Sequence, residues 1–162
     1  MIDELPTRAA LGVAAFILLA MGLSVVRLSD GDAVREAAQS LAAHLAEQLD
    51  AVGGIRGEAV FRAGVGADGA FELPPSLAGA RYRVEVRTAS VSVEASGHEV
   101  AAPLAIAVLP FSPNEERYAG AEIAAKSTAV VAIDVGGTFL VERTERVVDG
   151  VPAYLTFVHL PH

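Results

Sequence analysis

Cysteine is absent from the 162 residues, and so is tryptophan. Without cysteine there is no disulfide framework, no thiolate metal site, no lipid anchor on a thiol and no thiol nucleophile. The same absence is compatible with either side of a membrane. Lysine is nearly missing too. Eleven of the 12 bases are arginine, and 20 acids outweigh them to give a net charge of −8. That balance counts against a nucleic-acid partner, which needs clustered Lys and Arg to release counterions. It also counts against electrostatic attachment to anionic lipid.

Charge itself is missing from one stretch. Ala9 to Val26 (AALGVAAFILLAMGLSVV) holds no charged residue, no proline and one serine, and lies between Arg8 and Arg27. As a helix it would be about 27 Å long, close to the hydrocarbon thickness of a bilayer. Residues 1–8 (MIDELPTR) form a short leader in which Asp3 and Glu4 outnumber Arg8. The small-residue site Ala20-Met21-Gly22 sits inside the apolar run, so a removable signal peptide fits poorly. Arg8 on one side and Arg27 and Arg35 on the other are too evenly matched to set orientation.

Within the run, Ala10, Gly12, Ala14, Ala15 and Gly22 recur at close spacing beside Phe16, Leu18 and Leu19. Small residues let helix backbones approach closely, which is the main source of association in an apolar medium. The spacing predicts an assembly interface of these eight residues, continued by Leu41 and Leu45. An alanine-rich composition alone would produce a similar stripe. Ser29-Asp30-Gly31-Asp32 reads as a break at 29–32, either a cap for a second helix or a loosened turn in one long helix. From Ala33 to Val52, the residues Val34, Ala38, Leu41, Leu45, Leu49 and Val52 share one helical face, and Gly53-Gly54 stops the pattern. A joined helix over 9–52 would be about 66 Å long. Its outer half would have to pack on the chain's own sheet or on neighbouring copies.

Beyond Gly54 the period changes to alternation. Strands are expected at Glu58–Arg62, Phe71–Leu73, Tyr82–Arg87, Val91–Ala95, Glu99–Ala102, Leu104–Leu109 and Val130–Val135. Phe139–Val148 is expected to pair with Val151–Leu160 across Asp149-Gly150, the strongest hairpin signal in the chain. Residues 110–118 (PFSPNEERY) read as a surface loop and the first choice for contact. The whole of 55–162 is thus expected to be one antiparallel β domain of seven or eight strands, a single sheet or a sandwich.

Two motifs invite a nucleotide. Ala132-Ile133-Asp134-Val135-Gly136-Gly137-Thr138 matches the phosphate loop of sugar-kinase and actin-like ATPases, but only 24 residues follow Thr138. Gly64-Val65-Gly66-Ala67-Asp68-Gly69 fits GxGxxG, yet Phe71-Glu72-Leu73-Pro74-Pro75 follows where a helix is required. Both read as turns between strands. His44, His98, His159 and His162 lack the three convergent ligands of a zinc site, no serine sits in a GxSxG elbow, and Glu115-Glu116 reads as solvated surface. Asn114, the one asparagine, is not in a glycosylation sequon. No catalytic residue, cofactor or metal is expected.

The order of parts resembles a type IV pilin-like protein, of the archaeal kind that carries a β-sandwich head. More specifically, Phe71–Val86, followed by Val91-Ser92-Val93 and Gly97, is similar to a segment of such proteins in which a Leu-Pro element and Gly-x-x-Tyr lead into paired strands. The resemblance implies assembly through the N-terminal helix, with β domains outward, and processing at Arg8-Ala9. There the chain departs from the family, whose peptidases take glycine after the basic residue; here Ala9 follows Arg8, and an uncleaved minor or assembly-associated subunit is implied equally. The expected fold class is α+β, a long N-terminal hydrophobic and amphipathic helix followed by an antiparallel sheet or sandwich. The expected function is that of a structural subunit of a pilus-like surface filament or pseudopilus. Its partners would be copies of itself or other pilin-like subunits, with insertion in the cell membrane before assembly and the β domain outside the cytoplasm. The alternative is a single-pass accessory subunit whose β domain docks on another membrane complex.

Overall fold

The computed structural model describes residues 30–67 and 71–161, and the chain divides into two units, 1–33 and 34–162. Helix α1 occupies residues 30–53. In chain order the other elements are β1 (Ala59–Val65), β2 (Glu72–Leu73), β3 (Tyr82–Arg87), β4 (Ser90–Ala95), β5 (His98–Pro103) and β6 (Arg117–Tyr118). They are followed by α2 (Gly120–Lys126), β7 (Val131–Asp134), β8 (Thr138–Val148) and β9 (Val151–His159).

Helix α1 forms because its apolar residues fall three and four apart, so Val34, Ala38, Leu41, Leu45, Leu49 and Val52 are all buried on one face. It ends where the Gly54 N–H turns back to the carbonyls of Asp50 and Ala51. The helix end is tightly covered. A Cβ at Gly53 would stand 2.9 Å from the Ile106 side chain, and the Asp50 carboxylate accepts the N–H groups of Ala105 and Ile106 at 3.0 and 2.9 Å.

The strands make two sheets. In the five-stranded one, β8 is central: β9 runs antiparallel along one edge, and on the other lie β1, antiparallel, and β6, parallel. Strand β2 adds two parallel residues beside the end of β1. The four-stranded sheet has the order β5-β4-β3-β7 and is antiparallel throughout. Alternation decides what faces inward. Tyr82, Val84 and Val86 pair with Ala95, Val93 and Val91, and all six are buried, while Arg83 and Arg87 point to solvent. These residues, the α1 stripe, Phe139, Val141 and Val158 form one core. A second, smaller cluster joins Leu109, Tyr118 and Phe157 with Phe111, Ile123 and Leu155.

The hairpin of β8 and β9 turns through Asp149 (φ 49°) and Gly150 (φ 85°), the left-handed pair that matches the twist of the strands. Ser96 and Gly97 (φ 50° and 78°) repeat the geometry between β4 and β5.

Three expectations are corrected. In place of a long N-terminal helix followed by an antiparallel domain, the described residues hold two helices and two sheets. The only substantial helix among the described residues is 30–53; Asp30, Gly31 and Asp32 lie in its first turn, and Ser29 lies outside the described residues. The stretch 9–26 lies outside the described residues. Among the described residues, no helix is long and apolar enough to cross a membrane. The β domain is not wholly antiparallel, because β2 and β6 run parallel to their neighbours. Leu104–Leu109 is not a strand. Its N–H groups go elsewhere, Leu104 to the Ala89 carbonyl, Val108 to that of Thr88, and Ala105 and Ile106 to Asp50. Only Leu109 pairs in ladder fashion, beside Phe157 on the far edge of β9.

Candidate functional site

Of the residues expected at an assembly interface, Leu41 and Leu45 are described, and they face inward. They are 7% and 1% exposed and belong to the domain's own core. The stripe that had two candidate coverings is therefore covered by the chain's own sheets. Ala10, Gly12, Ala14, Ala15, Phe16, Leu18, Leu19 and Gly22 lie outside the described residues, as do Arg8 and Ala9. The opposite face of α1 is polar and exposed, carrying Arg35, Glu36, Gln39, His44 and Glu47.

The phosphate-loop match resolves into a strand–turn–strand. Strand β7 ends at Asp134, Gly136 takes φ 89°, the Gly137 N–H donates to the Asp134 carbonyl at 2.8 Å, and β8 begins at Thr138. The Asp134 side chain is 79% exposed and lies 4.0 Å from Arg83, which also contacts Glu85 at 3.3 Å. A shallow cavity of about 400 Å³ beside it brings together Arg81, Arg83, Glu94 and Asp134. Its cations and anions balance, and Gly136-Gly137 opens no helix that could receive a phosphate.

A row of polar side chains crosses β8. The Thr144 hydroxyl donates to Glu58 at 2.8 Å and accepts from Arg146 Nη1 at 2.7 Å. Arg146 Nη2 and His159 Nε2 flank Glu142 at 3.9 and 3.6 Å. On the other face of the sheet, Arg143 donates to the Ile55 carbonyl at 2.8 Å and to Thr156 at 3.0 Å, which fastens the α1–β1 connection. Its guanidinium stands 5.7 Å from the Tyr154 ring centre. Tyr154 is held above its ordinary pKa mainly by the negative charge of Glu145, and Tyr82 is raised by burial. These contacts tie β1, β8 and β9 together, and the Thr144 hydroxyl that bonds Glu58 belongs to a side chain only 4% exposed.

Sequence reasoning missed the α2 cap, whose signal is the pair Glu122 and Lys126 at i and i+4. Lys126, the chain's one lysine, donates to Glu122, approaches Glu115 at 3.5 Å, and stands 5.5 Å from the Tyr118 ring and 5.7 Å from that of Phe111. Hydrogen bonding from Lys126, then its charge, lowers the Glu122 pKa; the bond to Glu122 raises that of Lys126. A depressed carboxylate stabilises above its unfolded pKa and loses that contribution as pH falls through the folded value. Carbon-detected NMR should therefore show Glu122 titrating below the usual glutamate range, and Lys126→Met should return it upward. Amide protection in α2 should decline over the same acidic window.

The 110–118 segment, expected as a contact loop, is irregular up to β6 and is anchored by Phe111 and Tyr118 in the small cluster. Compared with known proteins, the chain matches no family model, no curated protein and no solved structure.

Proposed function

We propose that this chain is a membrane-inserted structural subunit of a type IV pilus-like surface filament or pseudopilus. The observation that carries the reading is the division of apolar surface. Helix α1 spends its whole apolar stripe, Leu41 and Leu45 included, inside its own domain. The uncharged, small-residue-rich run Ala9–Val26 is then the stretch of sequence left to insert and to pack against other copies. In this reading the β domain is the outward head, displayed outside the cytoplasm, and its partners are copies of the chain or related subunits.

Electron microscopy of a sheared cell-surface fraction, with gold-labelled antibody against the β domain, tests it. Gold along filaments is expected of a major subunit, and gold at ends or bases of a minor one. Label confined to membrane sheets without filaments would sink the polymer and leave the single-pass accessory subunit in its place.

A further inference from the structure

Among the described residues each sheet has an unpaired edge segment, on β1 in one and on β5 in the other, and these two are complementary. Strand β1 pairs with β8 through Ala59, Phe61 and Ala63, as the bonds of Gly64 to Phe71 and Ala67 on the opposite side require. The N–H and C=O groups of Val60 and Arg62 therefore point away from β8, and among the described residues nothing pairs with them. In β5, the two-residue turn Ser96-Gly97 makes Ala95 and His98 a hydrogen-bonded pair, so His98, Val100 and Ala102 bond to β4. Glu99 and Ala101 point outward, with Pro103 ending the row where a further N–H would have stood. Arg62 and Glu99 are exposed, and neither has an ion pair among the described residues.

We propose that β1 of one copy pairs antiparallel with β5 of a second copy, Arg62 opposite Glu99 and Val60 opposite Ala101. Both outward positions of each strand are used, and opposed residues share a face, so the two charges meet side by side. Valine 60, 64% exposed, gains an apolar neighbour in Ala101. Charged residues on edges ordinarily prevent sheets from joining. Here the signs differ between edges. Like-edge pairing sets Arg62 against another Arg62 or against Val60, whereas cross-edge pairing neutralises it. A contact between two different edges is heterologous, so each copy keeps a free edge of each kind and copies add one after another, in a line unless the rotation closes a ring.

The inference rests on the filament reading and is tested separately from it. Paired residues stand about 5.5 Å apart between Cα atoms, within disulfide reach, and the chain has no cysteine of its own. The full-length Val60→Cys/Ala101→Cys variant, oxidised in the sheared surface fraction, should give a ladder of oligomers on a non-reducing gel. Either single variant should stay monomeric. Adding Arg62→Glu or Glu99→Arg should reduce the ladder roughly fivefold, and the two together should restore it. A monomeric double variant within intact gold-labelled filaments would overturn edge pairing alone. Dimers from a single variant, or no recovery in the charge swap, would overturn it too. A ladder without filaments would retain the pairing and overturn the filament.

Discussion

Leu45→Ala lowers the stability of the domain by about 2–5 kcal/mol. The side chain is 1% exposed and packs among Leu41, Leu49 and the residues of both sheets in a single core. Removing three carbons there loses their transfer energy and leaves a cavity that the neighbouring strands close only in part. The midpoint of thermal unfolding should fall by roughly 10 °C. Tyrosine fluorescence can follow it, since the chain has three tyrosines and no tryptophan. The purified, unpolymerised chain is the sample, because the loss belongs to one copy and needs no neighbour. If Leu45 served assembly instead, the isolated subunit would melt unchanged and only polymer would be lost.

Phe157→Ala costs about 3–5 kcal/mol, and its damage is placed differently. Phe157 is fully buried in the small cluster, 5.4 Å from the Phe111 ring and 6.1 Å from that of Tyr118. Leu109 is hydrogen-bonded on both sides of it, to the Thr156 carbonyl and the Val158 N–H. Hydrogen exchange should therefore accelerate first over 109–126, where contacts with this ring hold irregular chain and the α2 cap in place. The α1 amides should keep their protection until global unfolding. Uniform acceleration through α1 would show that the two clusters unfold as one.

Local signals carried much of the β domain. Tyr82–Arg87 alternates cleanly and is β3 to the residue, and Asp149-Gly150 announces the longest hairpin because few residue pairs accept two positive φ angles. Long-range arrangement was not legible. The period of two says which residues face a core but not which sheet a strand joins, so a single sheet and a sandwich stayed open as alternatives and the parallel β2 and β6 went unseen. The same limit applied to Leu41 and Leu45, whose spacing defined a buried face without naming what would cover it. Helix α2 escaped because none of its residues is buried and it carries no apolar stripe. The polar row escaped because Glu58 and Thr144 meet from 86 positions apart. At 104–109 the apolar run misled. Its hydrophobicity reflects packing at the end of α1, and its backbone is satisfied by a carboxylate rather than a ladder.

The five-stranded sheet is sewn from both ends of the domain: β1 and β2 precede the meander β3–β5, and β8 and β9 follow it. Time enters through that arrangement. As the chain emerges in order, β3, β4 and β5 close on one another as soon as residue 103 is out, each through a turn of two residues. Strand β1 must wait for Thr138–Arg143, and α1 lacks part of its cover until Phe139, Val141 and Val158 arrive. Loop closure over such a separation is slow compared with a hairpin. The five-stranded sheet cannot be finished before β9, Val151–His159, arrives. A chain stalled at 130 would present β1 unpaired and α1 incompletely covered, a form suited to chaperone capture and to degradation.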